Sequence, residues 1–380
     1  MRRLALSLIL LLFCGTVAAE QVAPSKTAAT TVPPKPVPKP APKKPAPKSP
    51  IARDLFGAAA APAPLAARAI GSYAKGCLAG GVSLPINGPD WQVMRLSRNR
   101  NWGTPQLLDF LERLSSDARA FDGWPGLLIG DMSQPRGGPM LTGHTSHQVG
   151  LDADIWLTPM PDRILTPQER EDMIAVSMLK DPFNVDPNVF TMQQMKLIRR
   201  AALSPQVARI FVHPAIKKVL CQQASQTGKD TSWLGKVRPW WNHHYHFHVR
   251  LYCPPGMDGC ENQKDVSGDN GCGQELDNWY AMLKKAAIEA AKSTVPGAKP
   301  WVGKPPLTMA QLPKECGTVL NAGGFTPEPP AESPAAITAL ATKDAGPPIP
   351  RLTAAQLQAL IGADPNVMPL PDRNPMRWRD

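Results

Sequence analysis

Six of the chain's seven histidines fall in two short blocks, LTGHTSHQVGLDADIW at 141–156 and WWNHHYHFHVR at 240–250. Imidazole is the commonest side-chain metal ligand and changes charge near neutral pH, so this concentration beside Asp152 and Asp154 points to metal-centred chemistry. From His244 to Leu251 the residues alternate. His244, His246, His248 and Arg250 fall on one face and Tyr245, Phe247, Val249 and Leu251 on the other, the pattern of a half-buried strand. The first block alternates in the same way after its loop, with Val149, Leu151, Ala153 and Ile155 set against Gly150, Asp152 and Asp154. Two such strands can bring carboxylates and imidazoles to one point. A catalytic zinc takes three protein ligands and keeps one position open, a requirement that His147, Asp154 and His248 meet as two histidines and a carboxylate. His246, on the same face as His248, is then left beside the metal as a general base. A single histidine on a strand is more often structural than a ligand; the clustering is what favours a site.

The elements that must carry these blocks can be read from caps and periodicity. Thr104-Pro105 opens a helix whose Leu107, Leu108, Phe110, Leu111 and Leu114 recur at helical spacing, with threonine as cap and proline in the first position. Thr166-Pro167 and Thr191 mark further starts, and 275–292 reads as a long amphipathic helix. Strands are expected at 127–130, 149–156, 209–212 and 244–251. The order lacks a βαβ rhythm, so the expected class is α+β, with helices flanking an antiparallel sheet that carries the metal site on one face.

The blocks HTSHQVGLDADIW, IFVHPAIKK and WLGKVRPWWNHHYHFHVRLYCP agree in order and spacing with a known family. Over residues 70–320 the chain resembles the penicillin-insensitive murein endopeptidases, periplasmic metallopeptidases grouped with lysostaphin, the zinc D-Ala-D-Ala carboxypeptidases and the hedgehog signalling domain. The resemblance implies a hedgehog-like fold, zinc held by His147, Asp154 and His248, and His246 as catalytic base. It places His243 near the site and gives no role to His213 or His244. It also implies that His144 and an Asp-x-x-His pair can hold metal; here that pair reads Asp181, Pro182, Phe183, Asn184, with asparagine in place of histidine. The implied reaction is hydrolysis of D-alanyl-meso-diaminopimelate cross-links in peptidoglycan. A carboxypeptidase removing terminal D-Ala and a non-catalytic, hedgehog-like wall-binding module are the alternatives, and a dead scaffold has no use for a base at His246. Arg136, in the SQPRGGPM loop, is a further candidate for holding substrate charge. Neither histidine block contains the GxSxG or SxxK pattern of a serine nucleophile, and β-lactams act by acylating such a serine.

The remainder of the chain bears on location. MRRLALSLILLLFCGTVAAE has two arginines, an apolar run and small residues before Glu20, the pattern of a secretory signal peptide at 1–19. Cys14 raises a lipoprotein anchor, which the bulky Phe13 disfavours. No later apolar stretch is long enough to span a membrane. Residues 20–66 are rich in proline, alanine and lysine and read as an extended spacer, 67–324 as the metallopeptidase domain, and 325–380 as a Pro/Ala-rich tail with a short helix at 353–360. Six cysteines remain after the signal, an even number that suits three disulfides in an exported protein. The resemblance implies the pairs Cys77–Cys316, Cys221–Cys272 and Cys253–Cys260. The net charge of +11 would suit nucleic acid. Export to the periplasm points instead to anionic wall peptides or lipid head groups as the counter-charge.

Overall fold

The threonines that mark helix starts in the sequence do cap helices. The structure, a computed structural model, describes residues 49–227, 230–266, 268–292, 305–326 and 346–362. Its helices are α1 (Ala52–Gly57), α2 (Pro105–Asp122), α3 (Pro167–Asp172), α4 (Met192–Leu203), α5 (Pro214–Thr227), α6 (Gln274–Lys292), α7 (Glu315–Asn321) and α8 (Ala354–Gly362). The Thr104 side chain accepts from the Leu107 N–H at the head of α2, and Gly123, at φ +68°, ends the helix in a conformation only glycine adopts readily. Thr166 with Glu169, and Thr191 with Gln194, form reciprocal capping boxes on α3 and α4. Thr353 and Gln356 do the same for α8.

The strands are β1 (Arg68–Ser72), β2 (Lys75–Ala79), β3 (Val82–Ser83), β4 (Trp91–Val93), β5 (Trp102–Gly103), β6 (Leu127–Ile129), β7 (Asp152–Trp156), β8 (Leu179–Asp181), β9 (Asn184–Val185), β10 (Val207–Val212), β11 (Val237–Pro239) and β12 (His246–Leu251). Six of them form the main sheet, in the order β11-β10-β12-β7-β6-β4. The α+β class holds, but the sheet is mixed rather than antiparallel. Its inner run β10-β12-β7-β6 is antiparallel, while β11 and β4 join the two edges in parallel.

The expected half-buried strands are buried throughout: every residue of β7 and of β12 is buried. The alternation is real, but both faces are covered. Phe247, Val249, Leu251, Ala153 and Ile155 join the main core with Leu107 and Leu111 of α2 and Leu197 and Ile198 of α4. The opposite face carries the charged groups, which are enclosed by loops rather than left in water.

A second core joins Ala52 and Phe56 of α1 to Ile70, Cys77, Cys316, Val319 and Leu320. The folded body therefore takes in residues that the composition assigns to the spacer. Ala52 N–H donates to Leu307 O, and Phe56 lies so close to Gly138 that a Cβ there would fall 2.2 Å from its ring. Ala52, Leu55 and Phe56 supply the apolar area that the Pro/Lys run before them lacks. The disulfides are Cys77–Cys316, Cys221–Cys272 and Cys253–Cys260, the first tying β2 to α7. The proposed signal peptide lies outside the described residues, as does most of the C-terminal tail. No described helix is long and apolar enough to cross a membrane.

Candidate metal centre

Sheet register builds the centre. β12 and β7 pair so that His248 stands opposite Asp154, Arg250 opposite Asp152, and His246 opposite Trp156. Side chains directly opposite on one face of an antiparallel pair are near neighbours, so these five polar groups form a patch without help from any loop. The 144–151 loop then brings in His147, whose φ of +63° is unusual for a residue with a side chain.

The groups converge on Asp154. Its Oδ1 lies 3.2 Å from His248 Nδ1, 3.4 Å from His147 Nε2 and 3.6 Å from His246 Nε2. Its Oδ2 lies 3.3 Å from His144 Nε2. Asp154 Oδ1 and both ring nitrogens of His147 and His246 are buried without a hydrogen-bond partner. Buried polar atoms rarely go unpartnered, and several such atoms facing one point suit a cation held between them. His144, His147 and Asp154 offer ligand atoms all within 4.8 Å of one another. His248 presents Nδ1 to the same carboxylate, so nitrogen and oxygen donors suited to zinc or a similar divalent ion surround it.

Electrostatics favour the ligand-competent forms of His147 and Asp154. Burial holds His147 neutral, down to about 4, with His248 and His144 adding to the effect against the pull of Asp154. Burial likewise pushes His246 well below the usual histidine value. Burial also opposes charge on Asp154, yet the surrounding imidazoles outweigh it and keep the carboxyl ionised. His248 goes the other way: burial is overcome by Asp152 and Asp154, which raise it.

The other expected residues divide. His243 donates from Nδ1 to Trp241 O at 2.5 Å, and its ring centroid is 4.8 Å from that of His246, so it borders the candidate base. His213 and His244 are buried and held neutral, His213 accepting from Ala215 N–H and His244 paired with Ser177 Oγ. Asp181 is not in the ligand group; its carboxylate accepts from Phe183 N–H at 2.8 Å and from the Asn184 amide at 3.0 and 3.2 Å. Asparagine at 184 thus serves as a donor to the carboxylate. Arg136 does not face the site. It is buried, donating to Val319, Leu320 and Ala322 carbonyls at the end of α7 and to Ala61 O, where a cation satisfies the last acceptors of a helix.

One group, Asp131, escaped the sequence reading, and another, Asp152, was placed on the polar face without a role. Asp131 accepts from Arg100 at 2.8 Å and from Arg98 at 3.0 Å, and meets His144 Nε2 at 3.1 Å. Nothing in its local sequence marks it, because it reaches the site only through the pairing of β6 with β7. The period-2 pattern had shown Asp152 as the same-face neighbour of Asp154, and only the sheet register shows what it holds.

A family profile described as penicillin-insensitive murein endopeptidase matches residues 69–321. The chain belongs to that family. A penicillin-insensitive murein endopeptidase of Haemophilus influenzae is 43% identical over 254 residues, covering 66% of this chain and 82% of the relative. Proteins of the same name from Klebsiella pneumoniae and Pectobacterium atrosepticum are 41% and 42% identical, over 62% and 61% of this chain and 84% and 81% of their own lengths. Family membership spans both histidine blocks and every strand of the main sheet, whereas residues before 69 and after 321 lie outside it.

Proposed function

We propose that this member of the murein endopeptidase family is a zinc-dependent, periplasmic peptidoglycan hydrolase that cleaves D-alanyl-meso-diaminopimelate cross-links. The observation that carries the metal reading is the unpartnered Asp154 Oδ1 at the meeting point of His147, His246 and His248. His147, Asp154 and His248 would hold the ion, with His144 beside them. Bound zinc supplies Lewis acidity, bringing the pKa of a water toward neutrality and polarising the scissile carbonyl.

The chain's own residues do the rest. His246, neutral and with both ring nitrogens unpartnered, takes a proton at Nε2 and returns it to the leaving amine. His243, its proton fixed on Nδ1 by Trp241 O, packs against His246 and limits its rotation. Burial of the base and ligands excludes bulk water and strengthens these interactions. The wall peptide is a polymer substrate outside the cytoplasm, which agrees with the signal-like leader and the disulfides.

Digestion of purified sacculi, with cross-linked dimers followed by mass spectrometry, tests the proposal. Conversion of dimers to monomers that stops with chelator and returns with zinc is the expected result. Removal of terminal D-Ala alone would make the protein a carboxypeptidase, and binding without any hydrolysis would make it a wall-binding module.

A further inference from the structure

Asp152 is fully buried, and it spends both oxygens on the metal ligands and their support. Its Oδ1 accepts from Arg250 Nε at 2.9 Å and lies 3.4 Å from His248 Nε2. Its Oδ2 accepts from the backbone N–H of His147 at 3.1 Å and from Arg250 Nη2 at 3.2 Å. We propose that Asp152 is a positioning residue that sets two ligands at once, the backbone of His147 and the tautomer of His248. This rests on the zinc reading above.

Consider His248 first. A ligating histidine presents one nitrogen lone pair and keeps its proton on the other. Nε2 makes no regular hydrogen bond but has the Asp152 carboxylate 3.4 Å away, so with Nδ1, 3.2 Å from Asp154, serving as the ligand nitrogen, the proton's place is on Nε2. A carboxylate in that place also makes the imidazole a stronger donor. The same carboxylate then holds His147 in its left-handed conformation, which a residue with a Cβ adopts only when its surroundings compel it. The hydrogen bond spans five residues and closes the loop that lifts His147 over the sheet.

Asp152 can serve as this fixed point because it cannot rotate. Arg250 grips it through two nitrogens from the directly opposite position on β12. The guanidinium is itself clamped, its carbon 4.2 Å from the Tyr73 ring centroid and 5.1 Å from that of Phe211, with Nη1 donating to Gln263 at 2.6 Å. Tyr73 is tied in turn by its hydroxyl to Leu251 O. A chain of rigid contacts thus runs from the β1–β2 turn to both ligands. Had Asp152 served only to neutralise Arg250, neither the His147 N–H nor the His248 ring would need to meet it.

The test compares full-length wild type, Asp152→Asn and Arg250→Lys. Three readouts are taken: folding in excess chelator by near-UV circular dichroism, zinc affinity by competition with a chromophoric chelator, and the His248 tautomer in metal-free, ¹⁵N-histidine-labelled protein by NMR. In Asp152→Asn one acceptor oxygen must choose between His147 and His248. Zinc affinity is expected to fall about 10- to 100-fold. The Nε2–H tautomer should give way to a mixture. Arg250→Lys, which keeps the charge but loses the fork, is expected to weaken zinc by more than about threefold. A folded Asp152→Asn that binds zinc within about threefold of wild type and keeps the Nε2–H tautomer overturns the proposal. If that variant does not fold, wild-type zinc affinity in Arg250→Lys overturns it. Failure of wild type to bind zinc would sink the zinc reading instead, and the tautomers of the metal-free proteins would still decide the role of Asp152.

Discussion

Lys217 is the group whose replacement most directly tests the electrostatics of this fold. It projects from α5 into a space with no solvent access, where Nζ donates to Leu234 O at 2.8 Å and Asn270 O at 2.6 Å. Those two bonds tie α5 to the segments before β11 and before α6, and β11 leads into the second histidine block. Burial first, and the Arg238 charge second, lower the ammonium to about 7, against the partial support of Glu275 and Asp269. The unfolded chain keeps that proton up to about pH 10.4, so between pH 7 and 10 the unfolded state binds more protons than the folded one. Stability should therefore rise with pH across that window, by about 4 kcal/mol at 1.36 kcal/mol per pH unit. Tyr73 and Tyr280 are raised by burial and act in the opposite sense, so stability should fall again above pH 10. Lys217→Met removes the rise and leaves the tyrosines in place. Urea unfolding with disulfides intact, at intervals from pH 6 to 10, should show the wild-type advantage growing by several kcal/mol as pH increases. At pH 6 the variant should match or exceed wild type once the roughly 1–3 kcal/mol for two unsatisfied carbonyls is counted. A difference that stays flat within about 1 kcal/mol over that range would show that the ammonium is solvated or fully compensated, and the argument from burial would fail.

Replacing His147, Asp154 or His248 by alanine should abolish metal binding and hydrolysis together; an Asp154→Ala protein with stoichiometric zinc and full turnover would refute the ligand assignment. His246→Ala should retain zinc measured by atomic absorption while losing about 10²- to 10⁴-fold in rate, and loss of the metal would make it a ligand instead. Because Cys77 and Cys316 are 239 residues apart and Cys253 and Cys260 only 7, paired serine substitutions should cost about 5.5 and about 2.4 kcal/mol on the loop-entropy estimate, with equal losses in urea titration counting against that account. Deleting 21–48 should leave thermal stability and turnover of soluble muropeptides unchanged, whereas deletion through Pro64 removes Ala52, Phe56 and Ala63 from the second core and should lower Tm sharply; equal behaviour of the two truncations would refute this domain limit.

What the sequence could determine was set by local physics. Threonine caps at 104, 166 and 191 were readable because a cap's hydrogen bond closes within three residues. The alternation of 149–156 and 244–251 was readable because a strand has period two whatever it pairs with. That alternation places His246, His248 and Arg250 on one face and Asp152 and Asp154 on another, which was enough to identify candidate ligands. It could not show that β7 and β12 are neighbours, nor that their register sets His248 against Asp154 and Arg250 against Asp152. Register is a contact between segments about ninety residues apart, and a shift by one residue would have turned the ligands to the opposite face. The same limit explains the other departures. Burial of both sheet faces, parallel edge strands, Arg136 at the end of α7 and Asp131 beside His144 all depend on which segments meet, and no local pattern encodes that meeting. Composition located the proline-rich run, but whether residues 51–65 belong to it was decided by Phe56 finding Gly138 and the α7 core. The chemistry of the donors is therefore written in the chain, and their common focus on Asp154 Oδ1 exists only once the sheet has formed.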